Sequence, residues 1–310
     1  MIEYIDHKNL APIVITTYNR PEHTKAMINS LLKNDLIDKS DVYFFCDNYK
    51  NITDKEKVHK TIQFINNASG FKLKKIIVRD KNLGMVTNTL TAINSICESH
   101  EKFIFLEDDA ILSPYFLTFM NACLNYYKNV TKVMGVTGWK YPCGQLTSPD
   151  GIIFTRLAES WTWGTWRDRW KMYVRDDSVM SKFNKNMKYE FNFHNTNLFW
   201  RQLVGNKNKR SETWSIYWYA AFFLNNGLCA APSETLAINT GNDGSGTHIE
   251  KNEIYNSKIT KKTKFNFNDK IEEDLEYFNK LKVFFNSHKP SVLHRIKFRI
   301  KSDIRKYLQL

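Results

Sequence analysis

Four short runs of β-branched and aromatic residues, each followed by residues at helical spacing or by an acidic cluster, fill the first third of the chain. They restrict its fold more than any other feature. The runs fall at 11–17, 42–46, 75–79 and 103–106, and the helical stretches between them at 22–34, 54–66 and 85–99. Ala11-Pro12-Ile13-Val14-Ile15-Thr16-Thr17 is continuous rather than alternating, the pattern of a strand buried on both faces. In the stretch that follows, Ala26, Met27, Ser30 and Leu31 recur at helical spacing, and Pro21 suits a first helical turn. Such alternation predicts an α/β fold with a doubly wound, mostly parallel sheet.

From about residue 132 the pattern changes to short apolar segments, Trp-rich loops and a helical stretch at 213–225. Residues 251–270 are polar and weakly periodic, 271–285 return to helical spacing, and 293–310 read as a basic amphipathic helix. The expected organisation is a catalytic domain over 1–250 and an extension over 251–310. Within the domain, about 11–115 form a nucleotide-binding half and about 130–250 an acceptor half. A chain of 310 residues with 42% hydrophobic and 25% charged residues has the composition of a globular protein. Its net charge of +13 calls for anionic partners without choosing among nucleotide sugar, glycan, membrane surface and nucleic acid. Residues 1–10 lack the apolar run of a secretory signal and no later run is long enough to span a bilayer, so a cytoplasmic location is expected. The five cysteines are odd in number and lack CxxC spacing, which indicates core thiols rather than a zinc site.

In an open parallel sheet, ligands bind beyond the carboxyl ends of the strands. Those ends carry Thr17-Tyr18-Asn19-Arg20, Asp47-Asn48, Arg79-Asp80 with Asn82-Leu83-Gly84, and Glu107-Asp108-Asp109. A strand-end Asp such as Asp47 can accept from a base or a ribose hydroxyl, though it can equally cap a turn or a helix. Arg79 and the backbone near Gly84 can approach a phosphate or a base. Glu107-Asp108-Asp109 is the stronger signal. Adjacent carboxylates after a buried strand repel one another unless a cation offsets the cost, and Mg²⁺ or Mn²⁺ takes such oxygen donors together with phosphate oxygens. The blander reading is a solvated loop capping the next helix.

Taken together, these motifs resemble the GT-A glycosyltransferases, with Thr17-Tyr18-Asn19-Arg20 after the first strand and Leu106-Glu107-Asp108-Asp109 as the acidic D-x-D-type motif. The Glu-Asp-Asp form is similar to that of the N-acetylglucosaminyltransferase I type. Three further stretches resemble bacterial sugar transferases of capsule and lipopolysaccharide clusters, of the family 2 type. They are Ser160-Trp161-Thr162-Trp163-Gly164-Thr165-Trp166-Arg167-Asp168-Arg169-Trp170, the segment from Glu212 through Trp214 to Ala220, and Asn242-Asp243-Gly244-Ser245-Gly246-Thr247-His248. The resemblance implies a Rossmann-like GT-A fold, a UDP-sugar donor and a glycan or lipid-linked acceptor. It implies Mn²⁺ or Mg²⁺ on Asp109, with Asp108, Thr17, Asn19, Arg20, Asp47, Arg79, Asn82 and Gly84 on the donor.

An inverting transfer needs a carboxylate opposite the leaving group, contributing about 10²–10⁴-fold. Glu212 is the candidate, because it precedes a segment where the resembled group shows Asp before an apolar helix; Asp168 is the second candidate. Trp163 and Trp214 are candidate acceptor contacts, since sugar rings stack on indoles, although Trp at such spacing is often core. His248, after a Gly-rich turn, could bind the metal or the diphosphate. The basic C-terminal stretch could dock on the domain or lie on an anionic leaflet. Rival readings are a retaining transferase and a non-catalytic sugar- or nucleotide-binding module. A nucleotidyltransferase would want a glycine-rich phosphate loop where Tyr18-Asn19-Arg20-Pro21 has none. Nucleic acid is not an expected partner.

Overall fold

The computed structural model describes residues 2–147, 151–244 and 253–289. In chain order the strands are β1 (Ile13–Thr17), β2 (Asp41–Cys46), β3 (Leu73–Val78), β4 (Lys102–Glu107), β5 (Ala110–Leu112), β6 (Val133–Thr137), β7 (Ile152–Thr155), β8 (Thr162–Trp166), β9 (Leu228–Pro232) and β10 (Ala237–Asn239). The helices are α1 (Pro21–Leu31), α2 (Ile52–Asn67), α3 (Gly84–Ser99), α4 (Phe116–Tyr126), α5 (Arg167–Trp170), α6 (Ser178–Ser181), α7 (Lys185–Phe191), α8 (Phe199–Lys207), α9 (Ser215–Leu224) and α10 (Leu275–Ser287). Eight strands form one sheet in the order β3-β2-β1-β4-β8-β6-β9-β7, while β5 and β10 pair separately. The first four are mutually parallel, and β8 and β7 run against their neighbours. This is the doubly wound, mostly parallel α/β sheet expected from the sequence.

Burial on both faces follows from the strand sequences. Ile13, Ile15, Ile104 and Leu106 face one core with Met27 and Leu31 of α1 and Phe116, Phe119 and Met120 of α4. Val14, Phe103 and Phe105 face the other, with Ile93 and Ile96 of α3 and Trp218 and Phe222 of α9. Period two therefore splits each apolar run between two helical layers. A third cluster joins α7, α8 and α9 to α10 through Phe191, Leu203, Tyr219, Leu281 and Phe285. The single sheet crosses both expected halves, with β8 inserted between β4 and β6. The basic stretch 293–310 lies outside the described residues. No helix among the described residues is long and apolar enough to cross a membrane.

Packing is tight where β8 pairs with β4. A methyl added to Gly164 would lie 2.7 Å from the Phe103 carbonyl oxygen, a backbone atom that can yield only if the sheet moves. Gly164→Ala is expected to destabilise the fold by about 1–3 kcal/mol despite the chain entropy that alanine saves. Urea unfolding of the two proteins measures the difference.

Candidate active site at the carboxyl edge of the sheet

Because β1 and β4 are neighbours in parallel register, with Thr16 opposite Glu107, the residues just beyond them meet. Arg20, immediately before α1, reaches Asp108 and lies 2.9 Å from Asp109 Oδ2 through the same Nη2. Both carboxylates are buried, at 4% exposure each. Burial, reinforced by the charge of Asp109, pushes the Glu107 carboxyl upward, and burial also raises Asp108 against the pull of Arg20. A cation is thus demanded at this point, and Arg20 supplies one.

The second, small sheet closes the site from the distant part of the chain. Pairing of Ala110 with Asn239 sets the next residues against Asp109. Asn239 Nδ2 donates to Asp109 Oδ1 at 2.8 Å, and the Thr240 amide and hydroxyl both donate to the Asp109 carbonyl at 2.9 Å. Gly241 then passes so close that a methyl there would stand 2.1 Å from Asp109 Oδ2 and 2.9 Å from Arg20 Nη1. Only glycine admits that approach. His23 of α1 lies 3.2 Å from the Asp243 carboxylate on the same loop. Asn239 and Gly241 were not singled out in the sequence. Their one signal was their position just before Asn242-Asp243-Gly244.

On the other side of β1, the predicted donor residues come together around Asp47. Its carboxylate accepts from the Leu83 amide at 2.8 Å, the Gly84 amide at 2.9 Å and Asn82 Nδ2 at 3.1 Å. Asp47 therefore caps the N-terminus of α3 from 37 residues away, and Gly84 takes a positive φ of 76° there. Burial raises the Asp47 carboxyl while these amides oppose it. Arg79 lies along α3, with Nε donating to Asn88 Oδ1 at 2.8 Å and its guanidinium 5.0 Å from the Phe45 ring centre. Asn19 donates to Asp54 at 2.9 Å, and Thr17 is buried at the end of β1. These groups share one edge, but in this state their polar atoms are largely engaged with one another.

Several predicted residues are placed elsewhere. Trp163 and Trp214 are 1% and 2% exposed and pack together at 5.5 Å between ring centres, with Phe105 beside both. They are core rather than an acceptor wall, because that face of β8 is covered by α9. Asp168 follows the far end of β8, where Trp166 pairs with Lys102, so it lies a full strand away from the acidic trio, about 17 Å at ordinary strand rise. There it pairs with Arg169 at 2.7 Å, which corrects its candidacy as a base. Glu212 is exposed and 3.5 Å from Arg175. It stands two residues before Trp214, which immediately precedes α9 and packs on Phe105 near the carboxyl end of β4, and no contact among the described residues joins it to Asp109. His248 lies outside the described residues.

The donor chemistry fits a hard divalent cation. Mg²⁺ and Mn²⁺ commonly take one or two protein carboxylates and complete their shells with phosphate oxygens. Asp108 and Asp109 offer only oxygens, at a place where positive charge is already required. No group of three His, Cys, Asp or Glu side chains gathers into a metal cage among the described residues, and an ion shared with a diphosphate needs none.

No protein-family model and no curated protein matches the chain. Among solved structures it is similar to S. aureus TarS, with a TM-score of 0.46 and 13% identity over 76% of this chain and 37% of that one. A 1–349 form of TarS gives 0.43 and 14%, over 74% and 59%. The mannosyltransferase PcManGT from Pyrobaculum calidifontis, in complex with GDP-Man and Mn²⁺, gives 0.42 and 11%, over 72% and 71%. The chain thus spans little more than a third of TarS. Likeness of this degree adds nothing to what the topology and the site say by themselves.

Removing Arg20 would leave two buried carboxylates face to face. Arg20→Ala is expected to lower stability in chelator by about 3 kcal/mol at neutral pH, the scale for breaking a buried pair. Manganese should restore much of the loss. Thermal melts of wild type and variant, each with EDTA and with Mn²⁺, provide the test.

Proposed function

We propose that the chain is a metal-dependent glycosyltransferase of the GT-A type, moving a sugar from a UDP-sugar to a glycan or lipid-linked acceptor with inversion at the anomeric carbon. The observation that carries this reading is the buried Asp108–Asp109 pair at the carboxyl end of the central strand β4, with one cationic side chain shared between the two carboxylates. Its setting in a doubly wound sheet, where ligands bind beyond the strand ends, supports the same reading. So does the resemblance of Thr17 to Arg20 and of Glu107 to Asp109 to the glycosyltransferase motifs.

Asp109, with Asp108, would hold Mn²⁺ or Mg²⁺, which when bound stabilises negative charge on a leaving diphosphate. Asn239 and Thr240 fix Asp109 in place. Arg20 can turn from the carboxylates to a phosphate, since its planar fork suits either. Asp47, Asn82, Gly84 and Arg79 form the nucleotide end of the site, and the N-terminus of α3 beside them favours negative charge. Glu212 is the candidate base that takes the acceptor hydroxyl proton, with Arg175 as its present partner. The bond from the anomeric carbon to the diphosphate oxygen breaks as the bond to the acceptor oxygen forms, and the proton passes to the carboxylate. Surface polysaccharide synthesis fits such an acceptor. The basic residues of 293–310 would suit an anionic leaflet that carries a lipid-linked one.

Calorimetry of UDP binding with Mn²⁺ and with EDTA tests the core of the proposal. UDP affinity should rise with the metal, and Asp109→Ala should abolish the rise and the metal-dependent turnover of a UDP-sugar. Glu212→Gln should keep donor binding and lose transfer by about 10²-fold or more. The anomeric configuration of the product, read by NMR, separates inversion from retention. UDP binding that ignores both metal and chelator would defeat the assignment.

A further inference from the structure

Both carboxylate oxygens of Asp109 are engaged within the protein. Oδ1 accepts from Asn239 Nδ2 at 2.8 Å, and Oδ2 lies 2.9 Å from Arg20 Nη2. The same Nη2 donates to Asp108 Oδ1, so one nitrogen bridges the two carboxylates. Gly241 packs against Oδ2, where a methyl would stand only 2.1 Å away. A divalent ion that binds through both carboxylates must therefore take the place of the guanidinium, because the two cations would share the same oxygens and repel one another at about 4 Å.

Nothing else ties the guanidinium down. Its side chain is 20% exposed, against 5% and 6% for those of Asp108 and Asp109. Among the described residues it makes no hydrogen bond or ion pair besides those to the two carboxylates, so Nε and Nη1 keep their N–H donors free. Arg20 stands at the N-cap of α1 without using its side chain as the cap. Withdrawing the side chain thus breaks no helix contact. What opposes withdrawal is the cost of leaving two buried carboxylates unpaired, and only another cation removes that cost.

We infer that Arg20 is a resident counter-ion that competes with the divalent metal for Asp108 and Asp109, and that a nucleoside diphosphate relieves the competition by taking the displaced guanidinium. The inference rests on the proposed transferase reading. Each ligand alone meets an obstacle. Metal alone must expel Arg20 with no anion to receive it, and diphosphate alone must draw Arg20 away from carboxylates that then lack a cation. Bound together, the two exchange one ion pair for another, since the planar fork of arginine suits carboxylate and phosphate alike. By linkage, the factor by which UDP raises metal affinity equals the factor by which metal raises UDP affinity.

Electron paramagnetic resonance of free Mn²⁺, on the full chain without nucleotide, measures the competition. Arg20→Gln should bind Mn²⁺ about tenfold or more tighter than wild type, because a unit positive charge no longer opposes the ion. A residue that only held the fold would give the reverse, a weaker site in the variant. Repeated with UDP present, the same measurement should show the UDP-dependent gain in Mn²⁺ affinity falling about tenfold in Arg20→Gln, leaving the part due to direct contact of metal and phosphate. If Arg20→Gln does not fold, wild type carries a second readout. The Nε–H signal of Arg20 in a ¹⁵N spectrum, identified by its loss in Arg20→Lys, should shift with Mg²⁺ and UDP together and stay in place with either alone at the same concentrations. Equal or weaker Mn²⁺ binding in Arg20→Gln, or an Arg20 signal unmoved by Mg²⁺ with UDP, would overturn the counter-ion. UDP titrations of wild type separate the two ideas. A manganese-dependent rise in UDP affinity beside unchanged Mn²⁺ affinity in Arg20→Gln sinks the counter-ion alone, whereas UDP binding indifferent to metal, beside tighter Mn²⁺ binding in the variant, sinks the transferase reading and leaves Arg20 competing with metal.

Discussion

The contact of Arg20 with Asp108 and Asp109 is the constraint around which this edge of the molecule is organised. Two carboxylates held at 4% exposure are tenable only with a cation beside them. The cation comes from the neighbouring strand, because β1 and β4 run parallel and end together. Once Arg20 is committed there, Pro21 starts α1 immediately behind it, and the chain from Asn239 to Gly241 must pass without a side chain over Asp109. A contact between residues 88 positions apart in sequence thus fixes the approach of a loop another 130 positions further on. In the proposed reaction this guanidinium, which offsets part of the charge of the pair, would be free to turn to a phosphate once a metal ion stood beside the carboxylates.

Much of this was legible from residues alone. Continuous apolar runs ending in polar clusters located β1, β2, β3 and β4, and the ends of those runs held Arg20, Asp47, Asp108 and Asp109. Local periodicity reports burial on one or two faces, and it did so for β1, β2 and β4, whereas β3, at the edge of the sheet, stays largely half-exposed with Val78 46% exposed. Strand ends carry no comparable direction signal once helices stop alternating. Thr162-Trp163-Gly164-Thr165-Trp166 reads the same whether it runs with β4 or against it. Because it runs against β4, the residues after it emerge at the opposite edge. That reversal removes Asp168 from the acidic trio, while Trp163 is core because α9 covers its face of β8.

Long-range partners were illegible for a different reason. Nothing local marks Asn239 as the residue that will hold Asp109, since the pairing depends on β10 returning to β5 as a separate two-stranded sheet. Asp47 shows the converse case. Its position was read correctly, yet its carboxylate serves as a remote cap for α3 as well as a possible donor contact. Capping and ligand binding draw on the same chemistry, acceptance from N–H groups, so residue type cannot divide them.

Buried polar atoms without partners occur both at this edge and elsewhere among the described residues. Asn242 Oδ1, beside the Gly241 crossing, is buried without a partner, as are Glu159 Oε1, Trp139 Nε1 and Thr162 Oγ1 around the start of β8. All belong to segments at or leading to the edge where β4 ends. The same strands are filled along their length by well-matched apolar contacts from both helical layers. Thr24 Oγ1, Asp41 Oδ1, Thr89 Oγ1, Trp163 Nε1 and Arg169 Nε are equally without partners away from that edge. A ligand that supplied hydrogen bonds to the unpaired atoms of the edge would stabilise the native state by mass action.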